Sequence, residues 1–163
     1  MQNIKHKTKQ GFTLLEILVG ASIITASFLG VLTVFDRLTK SSRQMVELTQ
    51  AGFLLEEGLE ATRVWRDTGW ANLGNWPNGT EYYLTWSGSK WATSTTNTLL
   101  DSKFERKIKV ANVNRDNTSK DIVLSGGTDD ANTKLVTATV TWSSASGPTT
   151  VKTLSAYFTK LFN

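Results

Sequence analysis

The chain has no cysteine, which excludes disulfides and thiolate-ligated zinc. It has one histidine, His6, close to the N-terminus. There is no Gly-x-Ser-x-Gly elbow, no phosphate-binding glycine loop and no carboxylate pair placed for acid–base work. Enzyme chemistry is therefore the least supported class of function, and no cofactor is expected. Only two prolines occur, Pro77 and Pro148, so no proline interrupts Phe12 to Trp76, and the helix stop signals there are Thr68-Gly69 and Leu73-Gly74. Charge is scarce where it matters most: from Phe12 to Phe35 the only ionisable side chain is Glu16. No internal repeat is found.

What is present begins with that apolar run. It exceeds the roughly 20 apolar residues needed to cross the hydrocarbon core of a bilayer, and it reads as a membrane-spanning helix over 12–35. Lys5, Lys7 and Lys9 form a short basic leader ahead of it. The positive-inside rule keeps that leader in the cytoplasm and sends the chain beyond Phe35 outward. A secretory signal has a shorter apolar region, about 7–15 residues, ending at a small-residue cleavage site. Here the small residues Gly20, Ala21 and Ser22 lie inside the run.

A plain signal anchor would explain leader and span but leave Glu16 without a purpose. A carboxylate inside a membrane segment costs about 2.5–3.5 kcal/mol on insertion scales, and such groups usually have a partner. A cut after Gly11 would give Phe12 an α-amine of pKa about 7.7–8.0. Glu16 lies i+4 from that amine, on the same helical face. The alternative is a Glu near the interface whose carboxylate reaches the headgroups. Taken alone, the residue leaves both open.

The stretch Gly11-Phe12-Thr13-Leu14-Leu15-Glu16, set between a basic leader and a long apolar helix, resembles the processing motif of type IV pilins and type II secretion pseudopilins. The resemblance implies that a prepilin peptidase cuts between Gly11 and Phe12 and that Phe12 is N-methylated. It implies that Glu16 is the docking carboxylate and that the partners are other pilin or pseudopilin subunits. An inner-membrane platform protein and an assembly ATPase would then drive extraction from the cytoplasmic membrane. The likeness is strongest over 9–35, weaker up to Arg66, and rests on layout beyond. Gly58-Leu59-Glu60-Ala61, Arg66-Asp67 and Val140-Thr141-Trp142 are most similar to minor pilins of the type IV pilus modification class and minor pseudopilins. The helix without proline and the missing C-terminal disulfide loop depart from the usual major pilin and count against a shaft-forming role.

On this reading 1–11 is a leader, 12–35 the transmembrane and filament-core helix, 36–66 its amphipathic continuation and 67–163 an extracytoplasmic β domain. Loss of the leader removes His6. It also leaves 15 basic residues (18 − 3) against 14 acidic ones, a net charge of +1 (15 − 14). Net charge therefore does not argue for a nucleic-acid partner, which would enter only through a DNA-uptake pilus.

Beyond Phe35 the helix is expected to continue to about Arg66. Met45, Leu48, Gly52, Leu55, Leu59 and Thr62 form one stripe, with charged residues opposite. Gly20 and Gly30 fit close helix packing or local melting, with simple tolerance of glycine in a membrane helix the reading preferred. Strands are expected over 82–86, 103–113, 121–124, 134–142 and 149–158, with polar loops over 87–98 and 112–132. In the second strand Phe104, Ile108 and Val110 alternate with Glu105, Lys107 and Lys109; the fourth sends Val136, Ala138, Val140 and Trp142 inward. The basic run over 103–109 is read as a solvated strand face. Turns are expected at Asn78-Gly79 and Ser146-Gly147-Pro148. The fold class is α+β: a long N-terminal helix packed by its second half on an antiparallel sheet of about four or five strands.

Trp65, Trp70, Trp76, Trp86 and Trp91 crowd one span with Tyr82 and Tyr83. Such clusters stack sugars or single-stranded nucleic acid, with Trp70, Trp86 and Trp91 the candidates here. In a small domain they serve equally as core, the reading preferred. Asp116, Asp121, Asp129 and Asp130 suggest a calcium site but lack the EF-hand spacing, and are read as solvated loop residues. Two functions follow. A filament subunit accounts for Gly11, Phe12 and Glu16. A membrane-anchored module for glycan, DNA or surface adhesion accounts only for the domain.

Overall fold

The computed structural model describes residues 13–143 and 148–161, so Gly11, Phe12, the basic leader and most of the Ser146-Gly147-Pro148 turn lie outside the described residues. The chain forms two compact units whose boundary, between Val46 and Glu47, falls within helix α1. That helix runs over Leu14–Thr68, 55 residues without a break. No proline interrupts it, and its glycines are too few to stop it.

After α1 come a short helix α2 (Ala71–Gly74) and seven strands: β1 (Glu81–Trp86), β2 (Trp91–Ser94), β3 (Leu99–Leu100), β4 (Phe104–Arg115), β5 (Ile122–Val123), β6 (Thr128–Ser143) and β7 (Thr149–Thr159). They form one antiparallel sheet in the order β2-β1-β4-β6-β7, with β3 and β5 also paired to β4. The α+β expectation holds, and the four or five expected strands become seven. Of the two additions, β2 lies in what the sequence suggested was a polar loop over 87–98, and the two-residue β3 just beyond its end.

The inward sides of β4 and β6 supply Phe104, Ile108, Val110, Val136, Ala138, Val140 and Trp142, all buried. This is the expected alternation. Against them α1 lays Ala51, Leu55, Gly58, Ala61 and Thr62. The stripe is therefore shifted from the one expected: Met45 and Leu48 are exposed, and the contact is made by smaller residues. Gly58 shows why. A Cβ there would stand 3.0 Å from Ile108 Cδ1 and 3.4 Å from Ala138 Cβ, so the helix lies too close to the sheet for a larger residue.

The long hairpin between β4 and β6 extends both strands past the expected boundaries, to Arg115 and back from Thr128. It turns through Gly126 and Gly127 at φ +74° and +69°. At Gly127 a Cβ would also collide with the Arg115 carbonyl.

Candidate functional site

The site expected from sequence is the start of α1. Glu16 occupies its first turn. Thr13 precedes the helix, and its Oγ1 accepts a hydrogen bond from the Glu16 N–H at 3.4 Å; the Thr13 N–H returns one to Glu16 Oε2, also at 3.4 Å. This is a reciprocal capping box with long bonds. Its signal, Thr-x-x-Glu ahead of an apolar run, stands in the sequence and gives Glu16 a local role beside the docking one. A carboxylate has about four acceptor positions, so one long bond to Thr13 leaves room for a cation. The Phe12 position lies outside the described residues, and the Phe12–Glu16 pairing with it.

Behind Glu16 the helix is sheathed in exposed apolar side chains, among them Leu18, Ile24, Phe28, Leu32 and Phe35. The hydroxyls within this run turn back on the helix itself. Ser22 Oγ donates to the Val19 carbonyl (2.7 Å), Thr25 Oγ1 to Ala21 (2.8 Å), Ser27 Oγ to Ile23 (2.8 Å) and Thr33 Oγ1 to Leu29 (2.9 Å). Each donor is satisfied without water, which suits a hydrocarbon surrounding. By length and composition this helix can cross a membrane.

The tryptophans divide. Trp65, Trp70, Trp76 and Trp91 pack on the core. Trp65 and Trp76 meet at 5.4 Å between ring centroids, and Trp76 meets Tyr82 at 4.8 Å, a tilted chain beneath β1. Trp70 lies against Gly74. Trp91 carries the Arg106 guanidinium 5.3 Å from its ring and meets Trp86 edge-on at 5.2 Å. Only Trp86 of the three stacking candidates is left open, 58% exposed. Trp70, Trp86 and Trp91 thus do not line up as one platform.

Arg106 is a residue that sequence reading passed over. It is 3% exposed, on the same side of β4 as Phe104 and Ile108. Its Nη1 donates to Glu57 Oε2 at 2.5 Å and to the Leu54 carbonyl at 3.5 Å, while its buried Nε has no partner among the described residues. A period-two count from Phe104 passes through Arg106, so the signal was there.

The remaining charges are used locally. Lys103 donates to Glu47, which also accepts from Trp142 Nε1 at 3.1 Å. Lys107 reaches Glu105 at 2.7 Å; that hydrogen bond holds its ammonium above the ordinary value of 10.5, against the opposing cost of burial and with further help from the nearby carboxylates. The run over 103–109 was expected to be a solvated strand face; Glu105, Lys107 and Lys109 do lie on the outward side, but Arg106 turns inward and is buried because Glu57 on α1 takes its charge. A cleft of about 340 Å³ lies between Leu99 and Trp142, but its charged walls, Lys103 and Glu105, are the groups just described.

The four aspartates do not converge. Asp116 Oδ1 accepts from the Thr118 and Ser119 N–H groups, both at 2.8 Å; these hold its carboxyl below 3.8, the Ser119 bond most strongly. Asp130 Oδ2 accepts from Arg115 Nε at 2.6 Å and Thr133 Oγ1 at 2.7 Å, which lower it likewise, Arg115 first. No group of three acidic or imidazole side chains fit to hold a metal occurs among the described residues. Compared with protein-family models, with curated proteins and with solved structures, the chain matches none.

Proposed function

We propose that the chain is a structural subunit of the pilin type, a minor pilin or pseudopilin, anchored in the cytoplasmic membrane and then built into a fibre by α1. One observation carries this reading: a single carboxylate, Glu16, in the first turn of a helix whose next twenty-odd positions are apolar, exposed and internally satisfied. Such a surface is at home in lipid and equally against other helices. Lipid and leucine are similarly apolar, so moving from one to the other is nearly balanced, and packing with a charge pair can tip it. Glu16 supplies the pair once cleavage after Gly11 exposes the Phe12 amine. The capping box holds Glu16 in the first turn, and the reading requires that amine, its own or a neighbour's, to meet it there.

Supporting this reading is the pairing of a long apolar helix with an antiparallel sheet, an architecture compatible with a pilin-like fold. An adhesion module on a plain anchor is the rival, and the dispersed tryptophans favour it less.

The test is cleavage followed by assembly. Protein purified from membranes should begin at Phe12, and Gly11→Ala should leave the precursor uncut. Glu16→Ala should be cut normally yet stay out of sheared filaments. Normal filament entry by Glu16→Ala would remove the docking role.

A further inference from the structure

The chain has six arginines. Four of them meet carboxylates: Arg63 at Glu60, Arg66 at Asp67, Arg106 at Glu57 and Arg115 at Asp130. Arg37 and Arg43 are exposed and have no carboxylate partner among the described residues. Between them Lys40 pairs with Asp36 at 2.8 Å, which leaves 36–43 a net charge of +2 (3 − 1). This stretch of α1 is bare, since the first buried residue of the helix is Ala51. In water an exposed arginine needs no partner. These two stand within about two turns of Phe35, the last residue of the apolar run, where lipid gives way to water. Basic residues are normally gathered on the cytoplasmic flank of a span, so an unbalanced pair on the outward flank calls for an anion there.

We infer that Arg37 and Arg43 form a collar that binds the phosphates of phospholipid headgroups in the outward leaflet and fixes the depth of α1 in the bilayer. The inference rests on the membrane-anchored reading above and needs no fibre. A guanidinium matches two phosphate oxygens with two parallel N–H bonds. Side chains on a helix lean toward its N-terminus, here back toward the bilayer. Arg43 lies six residues past Arg37 (43 − 37), about 9 Å, and that lean carries its guanidinium toward the headgroup layer. The same six residues turn the two side chains about 240° apart around α1. A protein docked on one face would reach only one of them. Lipid surrounds the helix, so both find phosphate.

The other end of the span agrees. Glu16 precedes Arg37 by 21 residues (37 − 16), about 31 Å of helix, against a hydrocarbon core of about 30 Å. With Arg37 at the outward phosphates, Glu16 stands at the inner edge of the core. Sliding α1 one turn inward drags Arg37 into hydrocarbon, and sliding it one turn outward drags Glu16 there. The two charges together hold the helix at one depth.

The test is contact between guanidinium carbon and lipid phosphorus, read by solid-state NMR on the full chain in vesicles of phosphatidylethanolamine and phosphatidylglycerol. The basic side chains of the leader are Lys5, His6, Lys7 and Lys9, so a carbon label on arginine is silent there. About one third of the guanidinium signal, two arginines of six, should be dephased by lipid phosphorus. Arg37→Gln with Arg43→Gln should abolish that dephasing, and Arg63→Gln should leave it in place. A wild-type signal without dephasing, or dephasing that survives in the double variant, would overturn the collar. Inorganic phosphate added to the chain in detergent should give none; dephasing there would assign the arginines to a free anion and overturn the lipid contact. Transfer of magnetisation from lipid tails to Ile17, Ile23 and Ile24 is read in the same vesicles. If the tails reach these residues while phosphorus does not reach arginine, the span stands and the collar falls. If the tails do not reach them, the membrane reading falls and the collar falls with it.

Discussion

Ile23 and Ile108 are the same residue in opposite settings. Ile23, in the unit that ends at Val46, is 61% exposed on α1; Ile108, in the unit that begins at Glu47, is fully buried between helix and sheet. The second unit covers its apolar side chains with its own strands. Among the described residues the first has only a helix, and its large side chains face outward along the whole run from Leu14 to Leu38. An apolar surface of that extent marks a membrane or an interface. One unit draws its stability from within, and the other must borrow a surrounding.

Substitutions that differ only in location test this contrast. Ile108→Ala should cost about 2–5 kcal/mol in urea unfolding followed by tryptophan fluorescence, as large-to-small changes in packed cores do. Ile23→Ala should leave that transition in place and show its effect only in filament incorporation. Removing the partner of a buried charge comes next. Glu57→Gln should cost about 1–3 kcal/mol, at the low end because the Glu57 side chain is itself partly exposed. Arg106→Leu in the same chain should recover much of that loss, since a buried ion pair can often be replaced by apolar packing.

Two glycines of α1 sharpen the comparison further. Gly58→Val should destabilise by about 1–3 kcal/mol by crowding Ile108. Gly52 has nothing near its Cβ position, and Gly52→Ala should stabilise by up to about 1 kcal/mol through helix propensity.

Asp130→Asn should cost about 1 kcal/mol near neutral pH, the scale of one hydrogen bond. The carboxyl of Asp130 titrates below 3.8 in the folded chain, so its contribution is complete above that value and is lost as pH falls through the folded pKa. Wild type and variant should therefore converge in acid. Smallest of all, Trp86→Ala should cost about 0.5–1 kcal/mol, the scale of its edge-on pair with Trp91 at an otherwise exposed position.

Much of the fold was legible because it rests on strong periods. The alternation at Phe104, Ile108 and Val110 and again at Val136, Ala138, Val140 and Trp142 places β4 and β6 directly. The stripe of α1 was displaced because hydrophobicity weights large residues such as Met45 and Leu48. Leu55 and Thr62 of the expected stripe are buried, but at a close helix–sheet contact the other fitting residues are small, and Ala51, Gly58 and Ala61 have little apolar bulk to register. Strand β2 hides in a polar stretch because its pairing comes from the neighbouring strand rather than from its own pattern, and β3, just past that stretch, has only two residues to show a pattern. At the candidate site, the role proposed for Glu16 was legible as an isolated charge. The Thr13–Glu16 capping box needed the helix start to be located first.

Burial of Arg106 has a consequence for how the domain acquires its shape. Sliding β4 by one residue would turn every side chain to the other face, carrying the guanidinium away from Glu57 and pressing Glu105 and Lys107 into the oily interior. Slid one way, Glu105 would stand against Glu57; slid the other, Lys107 would take the place of Arg106 at Glu57, but Glu105 and Lys109 would enter the buried positions of Phe104 and Ile108. An always-charged group in the middle of the sheet thus acts as a key that turns in one position, barring slipped pairings that a wholly greasy strand would tolerate.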